Sequence, residues 1–153
     1  MTVLEVENLK VSYSNHTALE NINLKINEGD YVCLVGENGS GKSTLVKTIV
    51  GLLKPDEGNV FLNISLNEVA YLSQMNLKDL DFPATAKEII MSGTQKHGKF
   101  PFYTKKDKDT YEKVIKQLKI EELQNKRIGD LSGGQKQRIL IARALIREPK
   151  LLI

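Results

Sequence analysis

Gly36-Glu37-Asn38-Gly39-Ser40-Gly41-Lys42-Ser43-Thr44 is the stretch that decides the fold of this chain. Its glycines permit positive φ and close backbone approach, so successive N–H groups can turn inward around an anion. The stretch follows an apolar run, Tyr31-Val32-Cys33-Leu34-Val35. It precedes Leu45, Ile49, Leu52 and Leu53, which recur at helical spacing until Pro55-Asp56-Glu57-Gly58 breaks the pattern. Strand, glycine loop, helix is the context in which G-x-x-x-x-G-K-[ST] marks a phosphate site rather than an incidental turn. The following helix aims its positive end at the anion. Lys42 supplies a mobile ammonium for β- and γ-phosphates, the Ser43 hydroxyl suits Mg²⁺, and Thr44 supports the helix start.

Upstream, Leu4, Val6, Leu9, Val11 and Tyr13 alternate with polar residues, as do Ile22, Leu24 and Ile26, which predicts an antiparallel β-layer. The uninterrupted run Tyr31–Val35 reads as a strand buried on both faces of a parallel sheet. Its Cys33, the lone cysteine, has no partner for an internal disulfide and reads as a small buried hydrophobe. Downstream, Val69–Leu72 predicts another strand, with Gln74 just past its end. Thr85 with Glu88, and Thr104 with Asp107, have capping-box spacing ahead of two helices, the second carrying Tyr111, Val114, Ile115 and Leu118. A third helix starts at Ser132-Gly133-Gly134 and runs through Ile146 until Pro149, after which Leu151-Leu152-Ile153 opens a new apolar strand.

Leu131-Ser132-Gly133-Gly134-Gln135 stands immediately before that third helix. Ser132 offers a hydroxyl, the glycines allow close approach, and the helix N-terminus adds partial positive charge, a combination suited to a γ-phosphate. A plain serine cap accounts for Ser132 but not for the paired glycines. Together the two motifs resemble the ATP-binding-cassette (ABC) family, over essentially the whole chain. The resemblance implies an α/β fold: a P-loop NTPase core with a parallel sheet, an N-terminal antiparallel β-layer and a helical lobe. Residues 1–75 and 136–153 would form the core with its layer, and 76–135 the lobe. It implies ATP and Mg²⁺ as ligands and a second ABC ATPase subunit as partner in a head-to-tail homodimer. ATP then lies between Gly36–Thr44 of one copy and Leu131–Gln135 of the other. By the same analogy Tyr13 stacks on adenine, and Gln74 senses Mg²⁺ and the attacking water. The plainer alternatives are a core-facing strand aromatic for Tyr13 and a solvated loop residue for Gln74.

Asp81-Phe82-Pro83-Ala84-Thr85 followed by Lys87-Glu88-Ile89-Ile90 resembles the helical lobe of ATPases that energise zinc or manganese uptake. That likeness implies membrane permease subunits as partners, an extracytoplasmic metal-binding protein acting indirectly, and a peripheral position on the cytoplasmic face of the membrane. The cargo metal would pass through a partner, because His16 and His97 stand apart and no transition-metal cluster is visible in the sequence. A net charge of +3 is too mild to indicate nucleic acid, and the apolar runs fall far short of the ~20 residues of a membrane span. The lysine-rich stretch Lys96–Lys119, interleaved with Phe100, Phe102, Tyr103 and Tyr111, is interrupted by Asp107, Asp109 and Glu112, and reads as a solvated helix face. A non-transport ABC ATPase acting on DNA or ribosomes is the competing class; nucleic acid that survives a salt wash would favour it.

Hydrolysis at such a site also needs a carboxylate after an apolar strand and a group that activates water. No such strand end occurs before Ile153. The expectation is therefore a C-terminally shortened domain that binds nucleotide, hydrolyses it poorly alone and exposes an apolar sheet edge.

Overall fold

The computed structural model describes residues 1–14, 16–72, 83–94 and 103–153. Contacts divide these into two compact units, Met1–Val69 with Ile153, and Ala70–Leu152.

In the first unit, β1 (Thr2–Tyr13) lies between β2 (His16–Asn27) and β3 (Glu57–Leu62), antiparallel to both. The apolar residues of β1 contain a break in parity, since Leu4 and Val6 are even and Leu9 and Val11 odd. A regular strand would turn one of these pairs to solvent. A bulge resolves it. The register slips between Val6 and Leu9, and Asn8 takes φ 47°. Its N–H is satisfied by Asn23 Oδ1 at 2.9 Å. All four apolar residues are buried, together with Leu19 and with Leu45 and Ile49 of α1 (Lys42–Ile49).

Four points of the sequence reading are corrected here. Strand β3 was hidden by Pro55-Asp56-Glu57-Gly58, which reads as a turn; Gly58 (φ 83°) enters the strand by packing against the backbone of Glu7 and Asn8, where a side chain would not fit. Helix α1 stops at Ile49 instead of continuing to Leu53, because Gly51 (φ 76°) reverses the chain and Leu52 N–H returns to Lys47 O at 2.8 Å. Most consequentially, Tyr31–Val35 forms no strand and Cys33 is exposed. A buried parallel strand requires a ladder partner and cover on both faces. Among the described residues the ladders close as β2-β1-β3 and as β4 (Val69–Ala70) with β5 (Leu151–Leu152), and neither includes this run. The strand predicted over Val69–Leu72 shortens to the two residues of β4.

The second unit is built on α2 (Ala86–Met91), α3 (Lys105–Gln117) and α4 (Gly133–Leu145). Each begins with the reciprocal box predicted from spacing or, for α4, with one built from Ser132 and Gln135. The inward stripes Ala86/Ile90/Met91, Tyr111/Val114/Ile115 and Ile139/Leu140/Ala142 form one core with Ile120, Leu123, Ile128 and Leu131. Lys105, Lys106, Lys108, Lys113, Lys116 and Lys119 lie on the exposed side, as the solvated-face reading expects. Gly93 sits against Arg143 O and Ile146, leaving no room for a Cβ.

The α2 box carries a pH signature. Backbone and side-chain hydrogen bonds from Thr85 hold the Glu88 carboxyl below its ordinary 4.5. A depressed carboxylate contributes stability fully present above its unfolded pKa and lost as pH falls through its folded one. Glu88→Gln should therefore flatten the loss of thermal stability below pH 4.5, and Thr85→Ala should cost about 1 kcal/mol at neutral pH. Melting curves followed by circular dichroism over that range check both. Identical pH profiles for the wild type and Glu88→Gln would reject the assignment.

Candidate functional site

The glycine loop is shaped by two left-handed glycines. Gly39 takes φ 88°, and Gly41, at φ 85° and ψ 0°, is the N-cap of α1. A turn bonds Ser40 N–H to Glu37 O at 3.2 Å. The first helical bond joins Leu45 N–H to Gly41 O at 2.9 Å, so the N–H groups of Lys42, Ser43 and Thr44 precede the helical ladder. Here α1 differs from α2, α3 and α4. It has no side-chain cap, where each of them has a reciprocal box, and like α4 it has no acidic residue in its first turn. An uncapped, acid-free helix start behind two left-handed glycines is fitted to an external anion.

Lys42 is bound into the loop. Its Nζ donates to Gly36 O at 2.8 Å, Glu37 O at 2.6 Å and Ser40 Oγ at 3.3 Å, accounting for its three donors. Ser43 is exposed, which leaves its hydroxyl available to Mg²⁺. Thr44 is buried instead, with Oγ1 3.4 Å from Tyr13 Oη and its carbonyl accepting from Thr48 Oγ1 at 2.9 Å. Tyr13 is 46 % exposed at the end of β1, so it is not a core-facing strand aromatic. Its half-open ring beside the first turn of α1 is compatible with stacking on a base. Two residues that no pattern identifies set the loop's position. A Cβ on Gly41 would stand 2.5 Å from Ala18 O and 2.7 Å from Leu19 Cδ2, so β2 forms the loop's floor.

In the second unit, Leu131 to Gln135 separate into different roles. Leu131 is core, at 6 % exposure. Ser132 N–H donates to Gln135 Oε1 at 3.0 Å and Gln135 N–H to Ser132 Oγ at 3.4 Å, so this pair is explained by the capping box, more fully than by a serine alone. Gly133 and Gly134 are exposed and have no positive φ, and a Cβ on Gly134 would meet nothing within 4 Å. Among the described residues nothing calls for glycine at position 134.

A family model for ABC transporters matches residues 19–153, from within β2 through the glycine loop and the pentapeptide to the last residue. The chain belongs to the ABC transporter family. Among ABC relatives, the zinc uptake system ATP-binding protein ZurA of Listeria monocytogenes is 39 % identical over 99 % of this chain and 62 % of its own length. The manganese transport system ATP-binding protein MntB of Halalkalibacterium halodurans is 38 % identical over 97 % of this chain and 62 % of its own. The crystal structure of a nucleotide-free ATP-binding cassette from an ABC transporter superposes with a TM-score of 0.83 at 29 % identity, covering 99 % of this chain and 68 % of that one. The fold is thus the α/β ABC ATPase fold. The chain spans about three-fifths of the length of these curated relatives.

Of the residues the ABC resemblance singled out, Gln74 lies outside the described residues, as do Asp81, Phe82 and His97. No cluster of His, Cys, Asp or Glu able to hold a metal occurs among the described residues. No described helix is long and apolar enough to cross a membrane.

Proposed function

We propose that this chain binds MgATP and serves as the ATP-binding part of an importer for zinc or manganese. The observation that carries the nucleotide assignment is the uncapped start of α1 with Lys42 held over it by the loop's own carbonyls. Gly36, Glu37, Asn38, Gly39, Ser40 and Gly41 cradle the phosphates through backbone N–H groups. Lys42 transfers one or more of its donors from the carbonyls to phosphate oxygens. Ser43 holds Mg²⁺ through its exposed hydroxyl, with Gln74 as the second assigned ligand. Thr44 is a positioning residue between the helix and Tyr13, and Tyr13 supports adenine. Mg²⁺ supplies charge neutralisation of the phosphates.

Ser132, Gly133, Gly134 and Gln135 act on a second copy's nucleotide, with Leu131 anchoring them in the core. The support is that no described residue of its own chain gives the exposed Gly134 a reason to be glycine. In functional terms residues 1–75 and 136–153 are the nucleotide core with its β-layer, and 76–135 the lobe. Permease subunits are the lobe's partners, which places the protein peripherally at the membrane. A cavity of about 330 Å³ lined by Lys87, Met91, Tyr103 and Tyr111 gives the lobe a concave surface for such a contact. The metal assignment rests on the likeness to ZurA and MntB.

Lys42→Ala should weaken ATP binding by at least roughly tenfold, measured by calorimetry with and without Mg²⁺, since it removes the loop's one charge-assisted phosphate donor. Unchanged affinity would reject the site. For the cargo, a strain lacking the gene should grow poorly without added zinc or manganese, and unchanged growth in metal-depleted medium would sink the metal assignment.

A further inference from the structure

Asn38-Gly39 is the only Asn-Gly pair in the sequence, and it sits at the bend of the glycine loop. The turn that bonds Ser40 N–H to Glu37 O at 3.2 Å has these two residues as its central pair, with Gly39 at φ 88°. Lys42 fastens the loop on both sides of them, through Gly36 O, Glu37 O and Ser40 Oγ. The pair itself is left untied. Among the described residues nothing hydrogen-bonds the Asn38 side chain or the Gly39 N–H, and a Cβ on Gly39 would meet nothing within 4 Å. A side-chain amide thus stands next to a backbone nitrogen that no side chain of its own residue shields. Elsewhere the successor is bulkier: Asn21 and Asn23 precede Ile22 and Leu24, and hydrogen bonds hold both of their side chains.

We propose that Asn38 is a site of spontaneous deamidation, which places a carboxylate in the phosphate loop and closes it to nucleotide. The Gly39 nitrogen gives its proton to solvent base and bonds to Asn38 Cγ. The Cγ–Nδ2 bond breaks, and the nitrogen leaves as ammonia with a proton taken from water. Water then adds to one of the two carbonyls of the five-membered imide and opens it. Opening at one carbonyl gives aspartate; opening at the other gives isoaspartate, whose backbone is longer by one carbon. Water is the sole co-reactant. Either product sets a negative charge within the loop that holds the triphosphate, and isoaspartate also displaces the N–H groups that cradle it. Bound phosphate acts in the opposite sense, because it accepts from the loop's N–H groups and so occupies the nitrogen that would attack. A loop that takes up nucleotide stands open to water whenever it is empty, so access to water follows from the work of the site. The modification goes beyond the nucleotide reading, while its effect on affinity rests on that reading.

The purified chain, titrated with MgATP by calorimetry when fresh, is aged in mildly alkaline buffer with and without MgATP and titrated again after removal of nucleotide. Peptide mass spectrometry scores conversion at each asparagine, enzymatic methylation scores isoaspartate, and circular dichroism confirms that the aged chain stays folded. Without nucleotide, Asn38 should convert ahead of every other asparagine, and the converted chain should bind ATP at least roughly tenfold more weakly. Saturating MgATP should slow the conversion by at least roughly tenfold, in proportion to the empty fraction it removes. Asn38→Ser, which has no side-chain amide to lose, should hold whatever affinity it starts with. Conversion no faster at Asn38 than at other asparagines overturns the proposal, as does conversion that MgATP leaves unchanged in a chain that binds it when fresh. An Asn38→Ser chain that loses affinity in step with the wild type overturns it too. A fresh chain that binds no MgATP fails the nucleotide reading instead, and the order of conversion among the asparagines then decides this proposal alone.

Discussion

Gly41→Ala is expected to destabilise the first unit by roughly 2–4 kcal/mol and to abolish nucleotide binding. Two costs combine at this position. The backbone stands at φ 85°, where a Cβ costs about 1–2 kcal/mol. The new methyl also meets Ala18 O at 2.5 Å and Leu19 Cδ2 at 2.7 Å. The oxygen is backbone in β2 and Leu19 is buried, so neither yields as the end of a flexible side chain would; overpacking of this kind costs about 1–3 kcal/mol. Against a domain stability of about 5–15 kcal/mol, that leaves a folded but loosened unit with the start of α1 displaced. Gly39→Ala is the matched control, since it shares the positive φ but would meet nothing within 4 Å. It should lose only the backbone part. Urea titrations of the two variants check the difference, and equal losses would show that β2 does not support the loop.

Gly134→Ala is expected to move stability and function in opposite directions. Position 134 lies in the first turn of α4 with no positive φ, and a Cβ there is unobstructed. Alanine should stabilise the helix by up to about 1 kcal/mol. If Gly134 is kept bare for another copy's nucleotide, the same methyl should weaken ATP-dependent pairing by at least roughly tenfold, because it stands where the phosphate must approach. Sedimentation with and without MgATP, compared between the wild type and the variant, isolates the effect. A variant that is more stable and pairs with ATP as well as the wild type would remove the reason for assigning Gly134 to a shared site.

What could be read from the sequence followed the range of the interactions concerned. Thr85 with Glu88 and Thr104 with Asp107 predicted helix starts correctly because a capping box closes within four residues. The glycine loop was legible for the same reason. Leu4, Val6, Leu9 and Val11 marked a strand, but their change of parity at Asn8 acquires meaning only beside Asn23 and Gly58, which are distant in sequence. Strand β3 was missed because the fit of Gly58 against β1 is a tertiary fact. Tyr31–Val35 illustrates the limit most clearly. Hydrophobicity shows that a segment would gain by burial; it does not show that a partner is present to bury it. At Ser132 and Gln135 the reading leaned toward ligand chemistry, while the structure supplies a local reason for both residues and shifts the weight to Gly134.

The three hydrogen bonds of Lys42 also bear on how fast the loop can take up its ligand. Because the ammonium already ties Gly36, Glu37 and Ser40 together, the loop keeps its curvature without an anion. Uptake is then an exchange of acceptors around one nitrogen and needs no ordering of a floppy segment beforehand. Binding of a phosphate should accordingly show no slow unimolecular phase ahead of the encounter. Selectivity among nucleotides would then reside in how long each one stays.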